Sequence, residues 1–204
     1  MKDDGDTMTA ITPLAQQVVL TRHPDTPDTA VRCVEARVQR SAAATLALTF
    51  ALQGDIASVR VPPPCPPRWA ICLWEHTCFE AFVLPEDGFA YHEFNFGPSG
   101  EWAAFAFERY RDGAPTMEAA LAPGINVRID HERLELDAII HLDRMQIDTA
   151  ARLRLALCAV VENQDGALSY WALRHPPGKP DFHHSDGFTL RLGPSTADGP
   201  TRSR

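Results

Sequence analysis

Two glutamates could do chemistry together if the chain brings them side by side. Glu80 sits in CFEAFVL (78 to 84) and Glu93 in FAYHEFNF (89 to 96), separated by the turn signal PEDG. A four-residue hairpin loop would set Leu84 opposite Phe89, and the register then follows along the pair. In that register Phe82 faces Tyr91, Glu80 faces Glu93 and Cys78 faces Asn95, all on one side of a sheet. The other side carries Phe79, Ala81, Val83, Phe94 and Phe96, a core face. Closing the next hairpin through GPSG (97 to 100) places Asn95 opposite Trp102 and Glu93 opposite Ala104.

Like charges directly opposed across strands destabilise a sheet, so the glutamates require compensation. A cation, a shared proton, or a ligand donating hydrogen bonds to both would supply it. The plainer alternatives are a register two residues away, or a covering Arg109 or Arg128. Tyr91 and Trp102 beside carboxylates and the Asn95 amide form the surface that saccharide recognition needs: ring faces for the apolar side of a pyranose, acceptors and donors for its hydroxyls. The same two carboxylates could also serve a sugar-active enzyme as acid and nucleophile, since opposed strand residues approach the short, retaining-type separation.

HPPGKPDFHHSDG (175 to 187) is a proline-stiffened loop carrying Lys179, Asp181 and His183, which could pair with the glutamates or with ligand hydroxyls. His175, His183 and a carboxylate have donor atoms for a metal, but their spacing matches no zinc template, and no metal is expected. CLWEHTC, read as a strand, puts Cys72, Trp74, His76 and Cys78 on one face with the two thiols about 20 Å apart, too far for one metal. Ser99 lacks the GxSxG elbow of a serine hydrolase.

The elements that must position these groups read as strands. TLALTFAL (45 to 52) alternates Leu46, Leu48, Phe50 and Leu52 on one face; INVRID and LELDAII flank the polar DHER as a hairpin. RLRLALCAVV and LSYWAL form another around Asp165-Gly166, and FTLRL a last strand. With VRCVEARV, IASVRV and the strands near residues 80, 93 and 105, the expectation is an all-β antiparallel sandwich of roughly ten strands. HLDRMQIDTAARL and RYRDGAPTMEAAL supply one or two short helices, and PPPCPP (62 to 67) an extended surface connection. Residues 1–12 and 193–204 read as disordered, leaving 13–192 as one domain.

At 204 residues, 45% hydrophobic and 23% charged, the composition is that of an ordinary globular domain. A net charge of −8 without a Lys/Arg cluster argues against nucleic acid as a partner. No apolar run is long enough to span a membrane, and the N-terminus MKDDGDTMTAITP lacks a signal-peptide core, so a cytoplasmic location is expected. Five cysteines without CxxC spacing fit reduced thiols.

The stretches LWEHTCFEAFVL and YHEFNFGPSGEWAAFAF, continued through YRDG, LCAVVENQDGALSYWALRHP and GKPDFHHSDGF, resemble the DOMON-like superfamily, in particular bacterial proteins related to family 9 carbohydrate-binding modules. The likeness runs over about residues 15 to 192. It implies a β-sandwich with a non-catalytic ligand-binding role, sugar or haem being the ligands of the superfamily. Trp74 and Glu80 match the sugar-clamping Trp and the carboxylate of the sugar-binding branch, and Trp171 is a weaker match to its second Trp. A haem-binding module would ligate iron through Met and His, and neither Met117 nor Met145 sits in a recognisable motif. A saccharide or similar small polar ligand is therefore the expectation, with no cofactor.

Overall fold

The computed structural model describes residues 15–26, 29–41, 44–145, 147–148 and 150–194. The proposed disordered segments, 1–12 and nearly all of 193–204, lie outside them. Among the described residues thirteen strands form: β1 (Gln16–Arg22), β2 (Val31–Arg40), β3 (Thr45–Gly54), β4 (Arg68–Trp69), β5 (Cys78–Pro85), β6 (Tyr91–Phe96), β7 (Glu101–Arg109), β8 (Asp112–Pro115), β9 (Gly124–Ile129), β10 (Arg133–His141), β11 (Leu153–Glu162), β12 (Leu168–Ala172) and β13 (Leu190–Leu192). All helical turns among the described residues are short 3₁₀ segments, two of them at Ala119–Leu121 and Leu142–Met145, inside the stretches expected to be helical.

The strands build an antiparallel β-sandwich. One layer runs β1-β2-β3-β10-β9, and the other β4-β7-β6-β5-β11-β12, with β8 added to β7 and β13 to β11. Strand β1 serves both layers: residues 16–20 pair with β2, while Thr21 and Arg22 pair with β12. Only β4 runs parallel to its neighbour among these pairings.

Period-two alternation explains the core. Leu46, Leu48, Phe50 and Leu52 on β3 stand beside Ile140, Ala138, Leu136 and Leu134 on β10, and all are buried. Phe79, Ala81 and Val83 of β5 meet this layer from the other side, and the Phe50 and Phe79 rings stack at 5.2 Å. Because β5 and β11 are central strands covered on both faces, their burial is nearly continuous rather than alternating. The face turned away from the sandwich core is therefore covered too, and the cleft described below lies there.

Two stretches read as strands are not. In IASVRV, Asp55 accepts hydrogen bonds from the Ala57 amide (3.2 Å) and the Ser58 hydroxyl (2.6 Å), capping a 3₁₀ turn over Ile56–Ser58. In CLWEHTC, Cys72 takes a left-handed conformation (φ 62°) and Leu73–Glu75 form another 3₁₀ turn, so the four side chains do not share a strand face.

The two hairpins at the centre of the sequence reading form, each with a different register. The PEDG turn closes through Gly88 N–H to Pro85 C=O (3.0 Å), but Phe89 and Ala90 continue the loop instead of pairing, leaving Phe89 86% exposed. The pairing shifts by two residues: Glu80 faces Asn95 and Phe82 faces Glu93. At GPSG, Gly97 donates to Glu101 C=O (2.8 Å) around Pro98, Ser99 and Gly100, with Gly100 at φ 97°. This three-residue loop, ending on a left-handed glycine, moves the register by one, so Phe96 rather than Asn95 faces Trp102.

Candidate functional site

A shift of two residues keeps side chains on the same face, and a shift of one reverses them. Glu80, Glu93, Tyr91, Asn95 and Phe82 thus remain together on the outer face, although the glutamates meet on a diagonal rather than head on. Trp102 is carried to the core face, where it is buried against Phe96. The expectation that Trp102 joins the polar face is corrected accordingly, and Phe105 and Phe107 stand there instead, opposite Glu93 and Tyr91.

Trp171 also belongs to the core: it pairs with Ala159, is buried, and donates its indole N–H to Ser169 Oγ at 3.1 Å. Its neighbour Tyr170 points the opposite way and lines the cleft. Lys179 is exposed in the loop and is not a cleft-lining residue.

The cleft has a volume of about 370 Å³, within the roughly 300–1,000 Å³ span of small-ligand sites. Glu80 and Glu93 form its acidic floor, and Trp74, Phe105, Phe107, Tyr170 and Phe182 its ring-lined walls. Trp74 reaches it from the 3₁₀ turn before β5 and meets Phe105 edge to face at 5.7 Å. That turn is tied down by His76 Nδ1 and Glu162 Oε2 (2.8 Å) and by the Thr77 hydroxyl donating to Arg60 C=O (2.8 Å).

Glu80 is 3% exposed and its Oε1 is buried without a hydrogen-bond partner. Burial, reinforced by the Glu93 charge, pushes its carboxyl well above the ordinary carboxylate range. Glu93 accepts the Asn95 amide N–H at 2.8 Å; burial raises it to about 7, against the opposing pull of Asn95 and Arg111. Behind this pair the Cys78 and Cys158 thiols are buried and pushed well up by desolvation, so both are uncharged.

The loop after β12 closes one side. Asp181 accepts from Tyr110 Oη (2.7 Å), Arg111 Nη2 (2.8 Å) and the His183 amide (3.2 Å). Those hydrogen bonds outweigh burial and hold its carboxyl below the usual range. His183 is thereby set between Tyr91 Oη, 2.9 Å from Nδ1, and Glu93 Oε2, 3.6 Å from Nε2. The Tyr91 oxygen also accepts the Arg111 amide (3.2 Å). Burial and the Arg111 charge lower His183 to about 4, so it is uncharged at neutral pH.

Beyond the Tyr91–His183 partition lies a second hollow of about 880 Å³, floored by Leu84 and Phe188, with no buried acid. Arg109 and Arg128 do not cover the glutamates: Arg109 pairs with Asp112 and Arg128 with Glu135 and Asp137. Among the described residues no group of three or more His, Cys, Asp or Glu is arranged to hold a metal ion. Met117 is exposed and Met145 lies in the sandwich core; neither lines the cleft. No helix of the described residues is long and apolar enough to cross a membrane.

The sequence reading missed Phe105, Phe107, Tyr170, Phe182 and Arg111. The Phe105 and Phe107 alternation in EWAAFAFER was visible, but a one-residue error at Gly100 assigned it to the wrong face.

No protein-family model matches the chain, and no curated protein matches it. Among solved structures it is similar to a protein of Bacteroides uniformis provisionally classed as carbohydrate-binding (16% identity, TM-score 0.63, covering 86% of this chain and 84% of that one). It is also similar to a family 9 carbohydrate-binding module of Caldicellulosiruptor kristjanssonii in complex with cellotriose (6% identity, TM-score 0.51, covering 80% and 75%). At these identities the likeness establishes the fold, an all-β sandwich.

Proposed function

We propose that the protein is a non-catalytic carbohydrate-binding domain whose ligand enters the cleft between Trp74 and the Glu80–Glu93 floor. One observation carries this reading: Glu80, whose Oε1 is buried and without a partner, lines a hollow walled by rings. A desolvated oxygen of this kind costs stability unless something in the hollow pairs with it. A pyranose offers an apolar face for Phe105 and Trp74 and hydroxyls that can hydrogen-bond to the Glu93 and Glu80 carboxyl groups. The shared sandwich and the sugar ligand of the Caldicellulosiruptor module support the choice of saccharide over other small polar molecules.

No bond is made or broken in this reading. A thermal-shift screen of mono- and oligosaccharides, haem and divalent cations tests it, because a ligand specific to the folded state raises its melting temperature. Sugars raising Tm in the wild type but not in Trp74→Ala is the expected result. Stabilisation by haem alone, or turnover of a chromogenic glycoside that Glu80→Gln abolishes, would replace it.

A further inference from the structure

The charges facing the floor narrow the ligand further. Every basic group near the two acids is either engaged or uncharged. Arg111 is held by Asp181 at 2.8 Å. His183 gives its Nδ1 to Tyr91, and its Nε2 stands 3.6 Å from Glu93, outside hydrogen-bond range. The Asn95 amide is already spent on Glu93 Oε1, and the thiols of Cys78 and Cys158 behind the pair bring no positive charge. Among the described residues, the two carboxyl groups therefore share a desolvated floor without an ion pair to Arg111, the cation that lines the same cleft and whose charge reaches Glu93.

Hydroxyl groups can bond to these oxygens, but they leave uncompensated the negative charge that the pair carries once either acid ionises in this desolvated site. An ammonium group compensates it. It also gains from the walls, because the rings of Trp74, Phe105 and Tyr170 that line the cleft can attract a cation over their faces. Resting on the saccharide reading, we infer that the ligand of this cleft is an amino sugar whose protonated amine seats on Glu80 and Glu93 while its ring packs against Trp74 and Phe105.

Calorimetric titration of the full chain at neutral pH with glucose, N-acetylglucosamine, glucosamine and cyclohexylamine separates the two levels. Glucosamine binding at least about tenfold tighter than glucose or the N-acetyl sugar, with the preference lost in Glu80→Gln and in Glu93→Gln, is the expected outcome. Equal affinity for the three sugars overturns the ammonium inference and leaves the saccharide reading standing. Binding of cyclohexylamine with none of the sugars keeps ammonium recognition and overturns the saccharide reading. Binding of none of the four overturns both. Circular dichroism of each variant confirms that a lost preference is not lost folding.

Discussion

Glu80 stands squarely opposite Asn95 across the β5–β6 ladder, and the Asn95 amide donates not to it but to Glu93, at 2.8 Å. One acid of the pair is thus braced and the other has a buried oxygen without a partner. Removing the unbraced charge-capable group should cost nothing. Glu80→Gln is expected to leave the melting temperature unchanged or higher in the unliganded protein, since an amide avoids the coupled titration of two desolvated acids. Chemical denaturation showing a loss above about 2 kcal/mol would mean that Glu80 is a structural group holding the fold together.

The floor also makes stability depend on pH, and the sign follows from proton binding. Folding raises Glu93 from 4.5 to about 7 and raises Glu80 as well, so above pH 4.5 the folded state binds more protons than the unfolded one, and stability falls as pH rises. His183 works the other way: lowered from 6.5 to about 4, it costs stability as pH falls below 6.5. The effects oppose each other between pH 4.5 and 6.5, and above 6.5 only the acids remain. Between about pH 6.5 and 8 the wild type is expected to lose about 1 kcal/mol or more relative to the Glu80→Gln/Glu93→Gln double variant. Parallel stability curves for the two proteins would contradict the assignment.

Gly100 fixes which face of β7 meets the cleft. Its φ of 97° is costly for any residue with a side chain, and an added Cβ would approach the Cys65 carbonyl oxygen at 3.1 Å. Gly100→Ala should destabilise the protein by about 1–2 kcal/mol, measured by urea unfolding. A neutral effect would argue against the three-residue loop and the register it sets.

Much of the fold was legible because its strands are half-buried and alternate: β3 and β10 follow directly from the spacing of their apolar residues. The acidic face was legible for the same reason, since a two-residue slip at Phe89 and Ala90 moves partners without changing sides. Trp102 was placed wrongly because loop length at GPSG depends on a left-handed glycine, which residue types alone leave open between three and four residues. Trp171 and Tyr170 are adjacent, so choosing between them meant choosing a face that only the pairing with Ala159 and Val160 decides. Arg111 was illegible because its role depends on Asp181, 70 residues away.

The Arg111–Asp181 contact should act on the loop more than on the fold. Arg111 is roughly half exposed, so its ion pair contributes little to global stability, about 1 kcal/mol or less. Arg111→Ala is expected to speed hydrogen exchange at the His183 amide, which donates to Asp181 Oδ1, while exchange in β5 and β11 stays unchanged. Exchange at His183 no faster than in the wild type would show that the loop is held by other contacts.

The four tryptophans allow a direct test of where the ligand sits. Trp74 alone lines the cleft, whereas Trp102 and Trp171 are in the core and Trp69 packs against it from β4. In ¹H–¹⁵N spectra recorded during titration with a saccharide that stabilises the protein, the indole N–H signal of Trp74 should move to saturation while the other three hold their positions. A saturating titration that moves the signals of Trp69, Trp102 or Trp171 and leaves Trp74 in place would put the ligand elsewhere and contradict the assigned site.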